Sequence, residues 1–238
     1  MVQATTKEKP KKRRPRDPAA TREAILEAAR TRLAEDGPEG LSLVEVAKLA
    51  GVNRGTAYQH FETREKLIKA TADWVSETMF RAVFGEPAEI GERNVERIDI
   101  MELTDRMASF AMDNPELCRV WLLQVFSMPN PNQDPFWREY QGSLARWART
   151  DHAQDNIDSE VFSIITLSGA FLWPVWARAH AKCDEDVRAL ARRFANECLR
   201  LSMHGSMRSE HYPEIDERLK EAREATAESK AVRSRAKS

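Results

Sequence analysis

The chain has 238 residues, of which 42% are hydrophobic and 32% charged, with a formal net charge of -1. That supplies enough apolar material for a sizeable core in one or two domains, and no apolar run approaches the length of a bilayer span, so a membrane protein is not expected. Cys118, Cys183 and Cys198 are odd in number, widely spaced and set in helical patterns, which predicts buried thiols in a reducing compartment rather than a disulfide framework, and no Cys and His stand at metal-ligand spacing.

An even spread of that charge would argue against nucleic acid as a partner, but the spread is uneven. The first sixteen residues hold Lys7, Lys9, Lys11, Lys12, Arg13, Arg14 and Arg16 against the single acid Glu8. This stretch is too polar and too interrupted by proline to fold, and it lacks the apolar core of a secretory signal. Three readings are open: a solvated tail, a nuclear-import-like basic cluster, or an arm that wraps DNA and reaches a minor groove. Its position ahead of the segment described next favours the arm.

Asp17 and Pro18 supply an N-cap and a first-turn proline, and Ile25, Ala28, Ala29 and Leu33 form an apolar stripe up to Gly37, which predicts a first helix. Ser42 and Glu45 have the spacing of a capping box, in which the hydroxyl accepts from an amide near Glu45 and the carboxylate returns to the cap amide. A second helix should therefore start at Leu43, with Leu43, Val46, Ala47 and Ala50 on one face and Gly51 where a departing chain needs positive φ. Asn53 caps a third helix, Arg54 to His60, whose outward positions Arg54, Thr56, Gln59 and His60 all carry hydrogen-bonding side chains. Two short helices joined by a glycine-containing turn of three residues are the geometry of a helix-turn-helix, whose second helix enters the DNA major groove. A solvated helical hairpin is the plainer alternative.

The run GVNRGTAYQHF followed by ETREKL, residues 51–67, closely resembles the signature of the TetR family of one-component transcriptional repressors. Two positions depart from its commonest form. Asn53 replaces a serine and still caps, while Ala57 replaces a leucine and leaves a smaller apolar contact under the recognition helix. The resemblance implies Tyr58, His60 and Arg64 as phosphate contacts, with Lys66 a weaker candidate, beside Arg54 and Thr56 as base readers. The expected DNA-binding set is Ser42, Asn53, Arg54, Thr56, Tyr58, Gln59, His60, Arg64 and Lys66, joined by Arg13, Arg14 and Arg16 of the arm.

Thr63 caps a fourth helix to about Phe84, with Leu67, Ile68, Thr71, Ala72, Val75 and Met79 inward; Gly85 to Gly91 breaks the pattern. Val95, Ile98, Met101, Met107, Phe110 and Ala111 mark a fifth helix from about Asn94, interrupted by Asn114 and Pro115. A sixth runs from Pro115 to Phe126, and a seventh from Asp134 and Pro135 to about Thr150. An eighth is predicted from Ile157 to Ala181, kinked near Pro174, and a ninth from Asp184 to Met203, stopped by Gly205. No segment alternates with a period of two, so the expected fold is all-α with about nine helices. Expected units are an arm at 1–16, a helix-turn-helix domain at 17–62, an effector-binding and dimerisation domain at 63–207, and a mobile or marginally helical tail at 208–238.

Val187, Leu190, Ala191, Phe194, Cys198 and Leu201 lie at helical spacing on the ninth helix; the eighth offers the small residues Ser168, Gly169 and Ala170, with Leu172 beyond them. Intramolecular core explains both stripes. Resemblance to the family, whose members dimerise through their last two helices, favours a C2 homodimer instead. Five of six tryptophans, Trp121, Trp137, Trp147, Trp173 and Trp176, lie in helices six to eight beside Phe126, Phe136, Phe162 and Phe171. Core packing explains part of this, and a cavity for a small apolar or aromatic effector the rest, lined also by Met107 and Phe110 with Arg106, Gln124, Thr166 and Ser168 as possible polar anchors.

No catalytic constellation, phosphate-cradling loop or dinucleotide fingerprint is present, and the five histidines are scattered, so neither an enzyme nor a cofactor is expected. The expectation is a ligand-responsive, homodimeric regulator on a palindromic DNA operator, more a repressor than an activator, and cytoplasmic and nucleoid-associated by the resemblance. A DNA-bound scaffold of the same fold that recruits a protein partner, with no small-molecule switch, is the alternative.

Overall fold

The computed structural model describes residues 17–85, 95 and 98–235. Among these residues there are ten α-helices, no strand and one isolated antiparallel bridge, Ala153 with Met207. The helices are α1 (Pro18–Asp36), α2 (Leu43–Leu49), α3 (Arg54–His60), α4 (Arg64–Phe84), α5 (Ile100–Asp113), α6 (Pro115–Phe126), α7 (Pro135–Trp147), α8 (Ser159–His180), α9 (Asp184–Gly205) and α10 (Pro213–Arg235).

Side-chain caps set most starts. The carboxylates of Asp17, Asp99, Asp134 and Asp158 and the side chains of Ser42, Asn53 and Thr63 each accept from a first-turn amide, meeting donors that a helix leaves without partners. Gly37, Gly51 and Gly85 have φ of 68°, 63° and 80°, where a Cβ would be strained, so each releases the chain from the preceding helix.

One continuous core runs from the α1–α3 head into the body. Ile25, Leu33, Val46, Ala57 and Phe61 pack with Leu67, Val75 and Met79 of α4, and these continue to Trp121, Phe136 and Phe171. Arg30 fixes α1 to α4 by lying 4.1 Å over the Trp74 ring while donating to Glu23 and Glu27. A second cluster joins Trp147, Leu199, Met203 and Met207 to Tyr212, Ile215 and Leu219.

Several expectations are corrected. The fifth helix starts at Ile100, not near Asn94: Asp99 Oδ1 takes the Glu102 amide at 2.9 Å, leaving Val95 and Ile98 ahead of the helix. The break from Pro87 to Gly91 lies outside the described residues, as do Arg13, Arg14 and Arg16. The ninth helix runs through Gly205. The tail expected to be mobile or marginally helical is the helix α10, anchored because Ile215 and Leu219 fall on one face and are buried, and because Arg218 pairs with both oxygens of Asp105 at 2.8 and 2.9 Å. Of the cysteines only Cys118 is buried; Cys198 is half-buried and Cys183 is exposed ahead of α9. Against the composition reading, α8 is long and apolar enough to cross a bilayer by length and composition alone, with a mean hydropathy of 1.4. It packs instead among α5, α6, α7 and α9.

Candidate functional site

The turn between α2 and α3 is held from within. Ser42 Oγ accepts from Val44 N at 3.2 Å, one residue short of the capping-box amide. Asn53 Oδ1 accepts from both the Thr56 amide at 2.8 Å and the Thr56 hydroxyl at 3.1 Å. Ala57 is fully buried under α3, so the small residue at this position seats the helix close to the head's core. Arg54, Tyr58 and Gln59 are exposed and Thr56 and His60 half-buried. The Arg54 guanidinium lies 5.3 Å from the Tyr58 ring centroid, a cation–π contact that orients it without consuming its donors.

Two of the expected phosphate contacts are engaged within the chain. Arg64 Nε donates to Leu41 O at 3.0 Å and its Nη2 to Pro38 O, which ties the start of α4 to the α1–α2 connection. Its side chain thus braces the head through Nε and Nη2, while the expected phosphate contact concerns its Nη1 and its backbone amide. Lys66 Nζ pairs with Glu62 at 2.5 Å on the surface, and that bond holds the Glu62 carboxyl below its ordinary range. Exposed pairs of this kind are weak, so a phosphate can take Lys66 from Glu62.

A cavity of about 130 Å³ lies between α5, α7, α8 and α9, with Phe84 of α4 in its wall. Of the expected lining, Met107, Trp147, Phe162 and Thr166 are there; Phe110, Gln124, Trp121, Phe126, Trp137, Trp173 and Trp176 are not. Trp121 is core: its indole N–H donates to Asp134 Oδ2 at 3.0 Å and its ring meets Phe136 and Phe171 edge-on. Trp137 is buried against Phe126, while Trp173 stacks on Trp176 and Phe194 and donates to Leu190 O, so both tryptophans of α8 belong to the α8–α9 surface. Arg106 pairs with Glu102 on the outside of α5 and is no cavity anchor.

The sequence reading missed Thr104, Tyr140, Ser143 and Ser202, all in the cavity wall. Helical spacing carries part of that signal: Thr104 stands three residues before Met107, and Tyr140 seven before Trp147. The Tyr140 hydroxyl meets Thr166 Oγ1 at 2.8 Å, and burial pushes its pKa up to about 12. Burial likewise pushes the Cys198 thiol up to about 11. Both groups are neutral near pH 7.

Val161, Ile165, Leu172 and Trp176 recur on the outer face of α8, and Leu201 on α9, all exposed. The stripe expected for dimerisation is divided. Phe194 and Cys198 turn into the cavity, and Phe194 also lies against Gly169 from within the same chain; Val187, Leu190, Ala191 and Ser168 are half-buried.

Residues 25–71 match the family profile of bacterial regulatory proteins, tetR family. Over 75 residues the chain is 37% identical to an HTH-type transcriptional repressor of Mycobacterium tuberculosis, covering 31% of this chain and 40% of that one. Over 58 residues it is 40% identical to the HTH-type transcriptional regulator TtgR of Pseudomonas putida, covering 24% of this chain and 28% of that one. The matches thus span less than half of these relatives. Among solved structures, a gamma-butyrolactone receptor superposes over 86% of this chain and 98% of its own with a TM-score of 0.57 at 22% identity. A tetR-family regulatory protein from Rhodococcus RHA1 superposes over 76% and 96% with a TM-score of 0.57 at 18% identity. At these identities the likeness is one of fold.

Proposed function

We propose that the chain is a regulator of the TetR family, a cytoplasmic transcriptional repressor that binds a palindromic operator as a homodimer and leaves it when a small effector fills the cavity; the family profile over residues 25–71 and the repressor relative support that reading. The observation that carries the DNA-binding part is the first turn of α3, where Arg54 stands exposed and oriented on Tyr58 while Ala57 seats the helix in the head. A donor fork held at the start of such a helix suits guanine O6 and N7 in the major groove. The exposed apolar face of α8, from Val161 to Trp176, supports dimerisation, because a patch of that kind marks an interaction surface. The cavity abuts α4 through Phe84, and α4 carries the head, so a ligand that favours one arrangement of α4 would alter the spacing of the two recognition helices.

The test is selection of genomic fragments by the full chain, followed by footprinting. An inverted repeat with half-sites about one DNA turn, roughly 34 Å, apart is expected. Recovered fragments without a shared sequence would defeat the specific-regulator reading. Ile165→Arg should separate the dimer and weaken operator binding while leaving helix content intact; an unchanged mass in solution would remove the α8 face from the interface. Operator binding together with capture of a protein partner and no response to any small molecule would move the reading to the scaffold.

A further inference from the structure

The chemistry of the cavity wall narrows what can occupy it. Among the described residues, no Asp, Glu, Lys, Arg or His belongs to the lining. A charged ligand would find no counter-charge among those residues, and burying an unpaired ion is far more costly than burying a neutral polar group. The wall is otherwise apolar, with hydroxyls as its main polar groups, and hydrogen-bond bookkeeping sorts them. Thr166 Oγ1 lies 2.8 Å from Phe162 O and spends its one proton there, so in the 2.8 Å contact with Tyr140 the phenol is the donor. Ser143 donates to Glu139 and accepts from Arg146. Thr104 on α5 and Ser202 on α9 are different: their hydroxyls make no hydrogen bond among the described residues, although both border the cavity. Unused hydroxyls beside an apolar space are ready to receive a ligand's polar atom. Size sets the other limit, since a dry apolar cavity of about 150 Å³ in another protein holds one benzene ring, and this one is about 130 Å³.

We propose that the cavity takes an uncharged single-ring ligand carrying a hydroxyl or carbonyl group, the ring held among Met107, Trp147 and Phe162 and its oxygen bonded by Thr104 and Ser202. This rests on the effector reading above and gives that effector its chemical class. A long acyl chain or a fused multi-ring compound would extend beyond this space, and a carboxylate or ammonium of the same size would lose its hydration with no counter-charge among the described lining residues.

The experiment is calorimetric titration of the full chain with a size-matched set: phenol, cyclohexanone, toluene, benzoate and benzylammonium, at pH 7. Phenol and cyclohexanone should bind with one site per chain, and benzoate and benzylammonium at least about tenfold more weakly. Thr104→Val and Ser202→Ala should each weaken phenol by about three- to tenfold while leaving toluene within about twofold, a contrast that a general structural disturbance would not produce. Ala108→Leu, which fills the cavity, should abolish binding of the whole set with unchanged helix content. Tighter binding of either ion, no binding by any ring, equal losses for phenol and toluene, or binding that survives Ala108→Leu would each overturn the proposal. Operator affinity measured in the same samples separates the two readings. Phenol that binds as stated yet leaves operator affinity intact supports the ligand class and defeats release from DNA.

Discussion

Asp134 and Ser76, 58 residues apart in sequence, meet at 2.8 Å inside the fold, with both side chains withdrawn from water. The same carboxylate caps α7 through the Trp137 amide at 2.9 Å and accepts from the Trp121 indole at 3.0 Å, while Ser76 also accepts from Phe136 N at 3.3 Å. Three helices, α4, α6 and α7, are thus pinned at one buried point, beside the element that carries the reading head. Asp134→Ala leaves three donors unmet and removes a cap, and should cost about 2 to 4 kcal/mol in denaturant unfolding. Asp134→Asn turns one acceptor into a donor facing the indole N–H and should cost about 1 to 3 kcal/mol. A loss below about 1 kcal/mol for the alanine variant would mean that water replaces the carboxylate.

Arg54→Ala should cost about 1 to 3 kcal/mol on the selected operator and relax preference at one base position. Its contact with Tyr58 adds a second expectation. Tyr58→Leu keeps an apolar side chain but frees the guanidinium, so it should weaken the operator by less than Arg54→Ala does. Equal weakening by Arg54→Ala on random DNA would make the residue a phosphate contact.

How much of this was legible depended on the range of the interaction. Asn53, Thr56 and Gly51 interact within a few residues, and the bounds of α3 follow from them. Trp121 was misread as a cavity wall because its partner Asp134 comes from another helix, and no local pattern states where an indole N–H ends. The bracing role of Arg64 was hidden for the same reason: its acceptors are 23 and 26 residues upstream. In α10 the charged background hid the signal, since the two buried residues Ile215 and Leu219 are a single i,i+4 pair whose cover comes from α7 and α9. Aromatic count pointed to the right region, whereas the hydroxyls of Thr104 and Ser202, unpartnered among the described residues, become visible only once α5 and α9 are in contact.

The basic run at residues 7–16 makes a separate prediction, because its charge is independent of its conformation. Deleting residues 1–16 should lower the slope of log K against log salt by about 2 to 4, as expected for two to four lost phosphate contacts at roughly 0.9 each. An identical slope in the full and shortened chains would show that the run is a bystander.

Alkaline pH should unfold the protein through its buried neutral acids. Burial raises Tyr140 from 10.0 to about 12 and Cys198 from 9.0 to about 11. A folded pKa above the unfolded one gives stability that is complete below the unfolded value and lost as pH rises through the folded value, so the loss falls between pH about 9 and 12. Tyr140 alone accounts for about 2 to 3 kcal/mol of it. Tyr140→Phe gives up the Thr166 bond, about 1 kcal/mol at pH 7, and should then show a shallower alkaline slope than the parent. An equally steep fall in that variant would place the titration elsewhere.

Helix α10 closes the molecule on the far side of the cavity wall. Trp147, Leu199 and Met207 border the cavity and also pack in the cluster that Tyr212, Ile215 and Leu219 complete; the Trp147 indole donates to the Tyr212 hydroxyl at 2.8 Å. Burying an isoleucine and a leucine contributes about 1.5 to 3 kcal/mol each, so removal of residues 213–238 should cost about 3 to 6 kcal/mol. The Arg218 to Asp105 pair lies partly in solvent and adds at most about 1 kcal/mol, which predicts a small effect for Arg218→Ala and a large one for Ile215→Ala, about 2 to 4 kcal/mol. Because the cluster is the outer support of the cavity, the truncated chain should also show faster amide exchange in α9 around Leu199 and Met203 than the full chain. Unchanged exchange there, with stability reduced by less than about 1 kcal/mol, would show that α10 rests on the surface without supporting the wall.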